Sequence, residues 1–430
     1  MKPPQLPSLP SVQELLDHPR VKGLVERINR STLAHRAGNF LDDLRESVAK
    51  RTENWDVPSV GQLAERFARR VFGDPAPGAA WINATGVVAG SSALAGPLPD
   101  AALQALVQTG GDYGVNEAAA RQRAVDAVQS CCPGYSAVIA GSIDAALLLS
   151  CSAVATGRRI GVMTHQDVGS DDGGFDWPQL GARAGVVFAN VRDGADAGYA
   201  AALSAFRSVP GNWPQSCGVR IDLAPLAGML DPAAIDLPPL ASIPERLAAG
   251  ADLVIADGAG LVAGPPCGIV VGRAENLAPL QAHPLLEVLL ASGLTCSLLA
   301  TTLQEGRRGD AEAACLALPS WQLLSASLDN LSQRANRLVQ LIAESTAVAA
   351  AEVVQRNGVW GCSGGQSLTA PTVAISLSPA DRSAEELAGA LRHAPRPVAA
   401  LVEGDCVLLD LRSVFPRWDQ DLVAAIEQAG

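Results

Sequence analysis

Lysine is nearly missing from this chain. Its 430 residues contain three, Lys2, Lys22 and Lys50, and none occurs from Arg51 to Gly430. Chemistry that needs a desolvated primary amine as both nucleophile and proton carrier is therefore excluded beyond Lys50, because a guanidinium stays protonated and cannot substitute. Long apolar runs are missing too. Stretches such as Ala145–Leu149 fall far below the ~20 residues that span a bilayer, so no membrane partner is expected. The opening MKPPQLPSLPSVQELL lacks a charged-then-apolar leader, which points to a cytoplasmic protein. Nine cysteines include no Cys-x-x-Cys and one adjacent pair, Cys131-Cys132. An odd, scattered set reads as reduced core thiols. The five histidines (His18, His35, His165, His283, His393) are too dispersed for a metal cluster.

With 48% hydrophobic and 18% charged residues, the chain suits a globular protein with a large interior, and its length predicts two or three domains. Charge is uneven. Residues 1–73 hold 12 Lys/Arg and 9 Asp/Glu, a balance of +3, so the formal −12 of the whole leaves −15 for the rest. An acidic body disfavours phosphate-backbone contacts, which need clustered basic residues.

Residues 6–73 read as helical. Apolar spacing begins at Val12, Leu15 and Leu16, with Ser11 as N-cap and Glu14 completing a capping box; amphipathic segments follow at about Leu33–Ala49 and Val60–Val71. Further on, Ala137–Ile139 predicts a strand, Gly141-Ser142 a turn, and a helix starts near Ile143. A buried strand ends at Ile221-Asp222-Leu223. The centre of the chain is ADLVIADGAGLVAGPPCGIVVG, Ala251 to Gly272, where Gly and Pro punctuate two runs rich in β-branched residues. A long helix is expected over 318–345, then an α/β segment to the C-terminus.

The central hairpin resembles the cofactor-lysine hairpin of fold-type-I pyridoxal phosphate (PLP) enzymes, most closely the L-seryl-tRNA(Sec) selenium transferase (selenocysteine synthase) family. There a lysine is followed by two apolar residues and a Gly-Gly-Pro step. Matching Gly264-Pro265 and the next strand places that lysine at Gly260. The opening LPSVQELLDHPRVKGLVE, the stretch Ile82 to Val88, Gly173-Gly174-Phe175 with Pro178, His283-Pro284-Leu285 and Cys406 to Arg412 are similar to the family in the same order. The resemblance implies an α/β fold: a fold-type-I, aspartate aminotransferase-like large domain over residues 76–310, a small C-terminal α/β domain with its leading helix over 311–430, and an N-terminal helical domain over 1–75. For that first domain, tRNA holding and oligomerisation are both open readings.

The resemblance also nominates site residues. Asp222 falls where the family pairs a carboxylate with the pyridine nitrogen of PLP, and Gly141-Ser142 where a helix N-terminus binds its phosphate. His165 falls beside a family arginine. Each has a plainer reading, as strand-end carboxylate, N-cap and loop histidine; Arg121 and Arg123 read as solvated helix arginines. Where the family carries basic residues, this chain has small or apolar ones near Ala95, Leu290, Gly293 and Leu401. With these gone and Gly260 in the lysine's place, a degenerate, non-catalytic homologue is expected: a binding, scaffold or regulatory subunit, homo-oligomeric, without a lysine-linked cofactor. The alternatives are a selenocysteine-synthesis transferase holding PLP noncovalently through Asp222 and the Gly141-Ser142 turn, and a subunit complementing an intact homologue.

Overall fold

The computed structural model describes residues 10–18, 21–22, 30–49, 59–61, 63–64, 67, 81–90, 95–110, 116–163, 176–191, 198–205, 208–214, 216–307, 311–363 and 366–429. The chain divides into two compact units, Met1–Ala80 and Trp81–Gly430.

In the first unit the helix Val12–Asp17 starts at Ser11 with the expected capping box: the Glu14 carboxylate accepts the Ser11 backbone N–H at 2.7 Å, and the Ser11 hydroxyl accepts the Glu14 N–H at 3.2 Å. Its Leu15 and Leu16 pack with Leu33 and Phe40 of the helix Arg30–Ala49, and with Leu63 and Phe67. The second helix begins three residues before the predicted Leu33, because the turn ahead of the apolar stripe is also helical.

The second unit opens with β1 (Ile82–Ala84) and β2 (Ala89–Gly90). There follow β3 (Ser136–Ala140), β4 (Arg159–Met163), β5 (Val187–Asn190), β6 (Tyr199–Ser204), β7 (Cys217–Leu223), β8 (Leu253–Asp257) and β9 (Gly268–Gly272). These seven form one sheet in the order β3-β9-β8-β7-β6-β4-β5, in which β9 alone runs against its neighbours. β8 and β9 are buried at every position. Helices cover both faces, which is why these strands read as continuous apolar runs rather than as alternation. Glu117–Cys131, Ile243–Ala248 and Gly293–Gly306 lie on one side; Ile143–Ala155, Trp177–Ala184 and Ala274–Gln281 lie on the other.

Four later strands, β10 (Val348–Ser363), β11 (Gln366–Pro379), β12 (Val398–Glu403) and β13 (Cys406–Asp410), join β1 and β2 in a second sheet, ordered β1-β12-β13-β11-β10-β2. The segment Ile82–Gly90, assigned from the sequence to the large domain, is thus built into the C-terminal sheet, with Ile82 opposite Val398 and Ala89 opposite Gly361. The turn between β1 and β2 depends on Gly86. It has φ +84°, and a Cβ there would sit 2.6 Å from Asp410 Oδ2. The long helix expected over 318–345 is two, Pro319–Leu324 and Leu328–Ile342. Ser327 breaks it: its extended backbone and its hydroxyl, accepting the Asn330 N–H at 3.2 Å, start a new N-terminus. Helices Leu328–Ile342, Ala384–Arg392 and Asp419–Glu427 pack their apolar faces on this sheet.

All nine cysteines are free. Burial pushes up the thiols of Cys132 and Cys151, to about 12, and that of Cys296, to about 11. These three behave as small apolar core residues rather than nucleophiles, whereas Cys131, Cys217, Cys315, Cys362 and Cys406 are only half-buried. No described helix is long and apolar enough to cross a membrane.

Candidate functional site

Because β3, β7 and β8 are mutually parallel, their C-terminal ends share one edge of the large sheet, the edge where open α/β sheets bind ligands. Three of the sequence-nominated positions gather there. Gly141 follows β3, Asp222 is the penultimate residue of β7, and Gly260 lies in the turn after β8. β7 is adjacent to β8, and β3 is two strands away across β9, about 10 Å at ordinary strand spacing. His165 falls outside the described residues.

The turn after β8 is closed at the position that matters. Gly260 donates its N–H to Asp257 O at 3.0 Å and accepts from Ala263 N at 3.0 Å, while Leu261 N reaches across to Leu226 O at 3.3 Å. A Cβ on Gly260 would lie 2.6 Å from the backbone oxygen of Pro225 and 3.3 Å from Leu226 Cα. Both are main-chain atoms, so nothing flexible can move aside. The backbone of 225–226 occupies the volume through which a side chain at 260 would leave.

At the Gly141-Ser142 turn, the Gly141 N–H is already spent on Leu289 O at 2.8 Å. The carbonyl oxygens of Leu289 and Leu290 both lie 3.8 Å from where a Gly141 Cβ would be. The segment is held in place by Ala291 N donating to Ile139 O at 2.9 Å and by the bridge between Ala140 and Leu290. The Ser142 hydroxyl caps the helix Ile143–Ala155 by accepting Ala145 N at 3.1 Å, with Asp144 in the first turn. An anion approaching this turn meets two carbonyls and a carboxylate. The neighbouring helix end is likewise taken, since Gly293 N donates to Glu117 Oε2 at 2.6 Å. Arg121, expected to be solvated, is half-buried and lies 3.4 Å from Glu117 and 3.5 Å from Glu287, with its Nε buried and without a hydrogen bond.

Asp222 is completely buried. Its Oδ2 accepts from Arg246 Nη1 at 2.9 Å, and Arg246, 1% exposed, also donates Nε to Ala241 O at 3.0 Å. Burial pushes the Asp222 carboxyl above the usual carboxylate range, against the pull of Arg246 and of Ser204 beside it on β6. Asp222 Oδ1 makes no hydrogen bond. Asp257, at the end of β8, is the third buried group of this edge. It accepts Ala259 N at 2.9 Å, and burial, aided by nearby Asp144, raises its carboxyl to about 6. Sequence reasoning missed both Arg246 and Asp257. Arg246 had a signal: with Ile243 and Leu247 it falls at i, i+3 and i+4, on the buried face of a short helix.

Residues 227–415 match the family model described as L-seryl-tRNA selenium transferase. Over 98% of its length the chain is 25% identical to 98% of the L-seryl-tRNA(Sec) selenium transferase of Geotalea daltonii, and over 99% it is 26% identical to 97% of that of Moorella thermoacetica. The chain is related to the L-seryl-tRNA(Sec) selenium transferases. Among solved structures, D-glucosaminate-6-phosphate ammonia-lyase superposes with a TM-score of 0.53 at 14% identity, covering 81% of this chain and 95% of that one. That likeness speaks to the fold, which is the fold-type-I α/β transferase fold implied by the central hairpin.

In a relative of these transferases, the edge just described is where PLP is expected. The residues present do not fit it. Gly260, matched by resemblance to the family lysine, is sealed by main chain, the Gly141 amide at the turn matched to phosphate binding is engaged by Leu289, and Asp222 already holds a buried counter-ion in Arg246. One feature fits, the unpartnered Asp222 Oδ1.

Proposed function

We propose that this chain is a non-catalytic homologue of the L-seryl-tRNA(Sec) selenium transferases that acts as a binding, scaffold or regulatory subunit. The observation that carries the reading is the sealed turn at Gly260, where a Cβ meets Pro225 O at 2.6 Å, in a chain without lysine beyond Lys50. The Asp222–Arg246 pair supports it, because an internal cation supplies the charge that a ligand would otherwise bring to a buried carboxylate. Its partner is a second copy of this chain or a lysine-bearing homologue. A second copy would extend the binding surface, whereas a lysine-bearing homologue would carry the chemistry.

The direct test is turnover. Purified protein, with PLP, seryl-tRNA(Sec) and a selenium donor, should form no selenocysteinyl-tRNA, alone or after long incubation. Product formation above a boiled control would sink the proposal. Co-expression with a lysine-bearing homologue and native mass spectrometry then separates self-association from a mixed assembly. A second reading, PLP held without a covalent bond, is favoured by the unpartnered Asp222 Oδ1 alone. It requires reversible PLP binding that is lost in Asp222→Ala.

A further inference from the structure

A half-open cavity of about 220 Å³ lies beside the turn after β8, walled by Leu261, Val262, Met229, Leu303, Leu318 and Trp321. Trp321 is 1% exposed, and its indole N–H is fixed on Leu261 O at 2.9 Å, so this wall is preformed. The Thr302 hydroxyl, also on the wall, is spent on Leu298 O at 2.9 Å. Polar groups gather at the mouth instead: Ser130, Cys131 and the exposed Arg307. Arg307 pairs with no described carboxylate, yet it stands close enough to Cys131 for its charge to pull that thiol down while burial pushes it up. It is the one cation among the described lining residues.

We infer that this cavity binds a small apolar monocarboxylate, with its aromatic or aliphatic body against Trp321 and Leu261 and its carboxylate on Arg307. Size supports the choice, because an apolar cavity of ~150 Å³ holds a benzene ring, and the space here admits a ring with a short substituent. Charge supports it too. A guanidinium without a described partner forms charge-assisted hydrogen bonds with a carboxylate, whereas a phosphate dianion would need a second cation, and the described lining residues offer none. The inference is independent of the cofactor reading, since it uses none of Gly141, Asp222 or Gly260.

The test is calorimetric titration of the full chain with benzoate, hexanoate and the neutral isostere benzamide. Benzoate should bind about tenfold more tightly than benzamide, a difference of ~1.4 kcal/mol. Arg307→Leu should erase that difference and leave benzamide binding unchanged. Ser130→Trp, at the exposed mouth, should block all three ligands. Should that variant fail to fold, benzoate protection of Cys131 from iodoacetamide, mapped by peptide mass, reports the same occupancy in the native chain. No saturable binding of either carboxylate at millimolar concentration overturns the inference. So does equal affinity for benzoate and benzamide, or binding that survives Ser130→Trp.

Discussion

Ala263 holds a left-handed backbone, φ +58°, at a buried position in the turn after β8. An L-residue with a Cβ costs roughly 1–2 kcal/mol there. Ala263→Gly should therefore raise stability by about 1 kcal/mol, read as a higher urea midpoint with unchanged slope. Three residues earlier the same turn gives the opposite result. Any side chain on Gly260 meets main-chain atoms of Pro225 and Leu226, and overpacking of this kind costs about 1–3 kcal/mol. Gly260→Lys should lower the melting temperature and still form no borohydride-trapped adduct with PLP. Asp257 shows a pH effect at this scale. Burial raises its folded pKa to about 6 from the ordinary 3.8, so the folded state holds the proton longer than the unfolded one. Its contribution favours folding below about pH 4, is lost as pH rises towards 6, and is constant above. Asp257→Asn should flatten that decline in a comparison of melting temperature against pH, with the two proteins diverging between pH 4 and 6.

Among elements, β7 and the helix Ile243–Ala248 are joined by the Asp222–Arg246 pair, 2.9 Å and almost wholly out of solvent. Removing one member of such a pair strands a buried charge. Arg246→Met should cost about 3–5 kcal/mol, and the double variant Asp222→Leu/Arg246→Met should recover most of it in denaturant titrations. This pair also marks what sequence could not reveal. β8 and β9 were legible because strands buried on both faces become runs rich in β-branched residues, and Gly264-Pro265-Pro266 punctuates them. Ser11 and Ser142 were legible as caps because their hydrogen bonds are local. Arg246 was not, because a buried arginine on a short amphipathic helix looks like a solvated one until its partner, far away in sequence, is in place. The same holds for β1, whose pairing with β12 joins opposite ends of the unit. The split of the long helix at Ser327 was readable from Ser325 and Ser327, but the apolar spacing on either side outweighed them.

On the scale of the whole molecule, the chain aligns with nearly the full length of the selenium transferases it resembles, and its own main chain and charges occupy the sheet edge that the resemblance points to. Three independent closures meet there: Pro225 O at Gly260, Leu289 O on the Gly141 amide, and Arg246 on Asp222. These three closures are the observations on which the proposed non-catalytic reading rests. The central claim is that this edge takes no lysine-linked PLP. It is met most directly by titrating the purified chain with PLP, recording the visible spectrum, reducing with borohydride, and weighing the intact protein and its peptides. We expect no absorbance band of a lysine-linked cofactor and no mass added anywhere in residues 81–430. A reduced adduct mapped to that unit would contradict the claim outright.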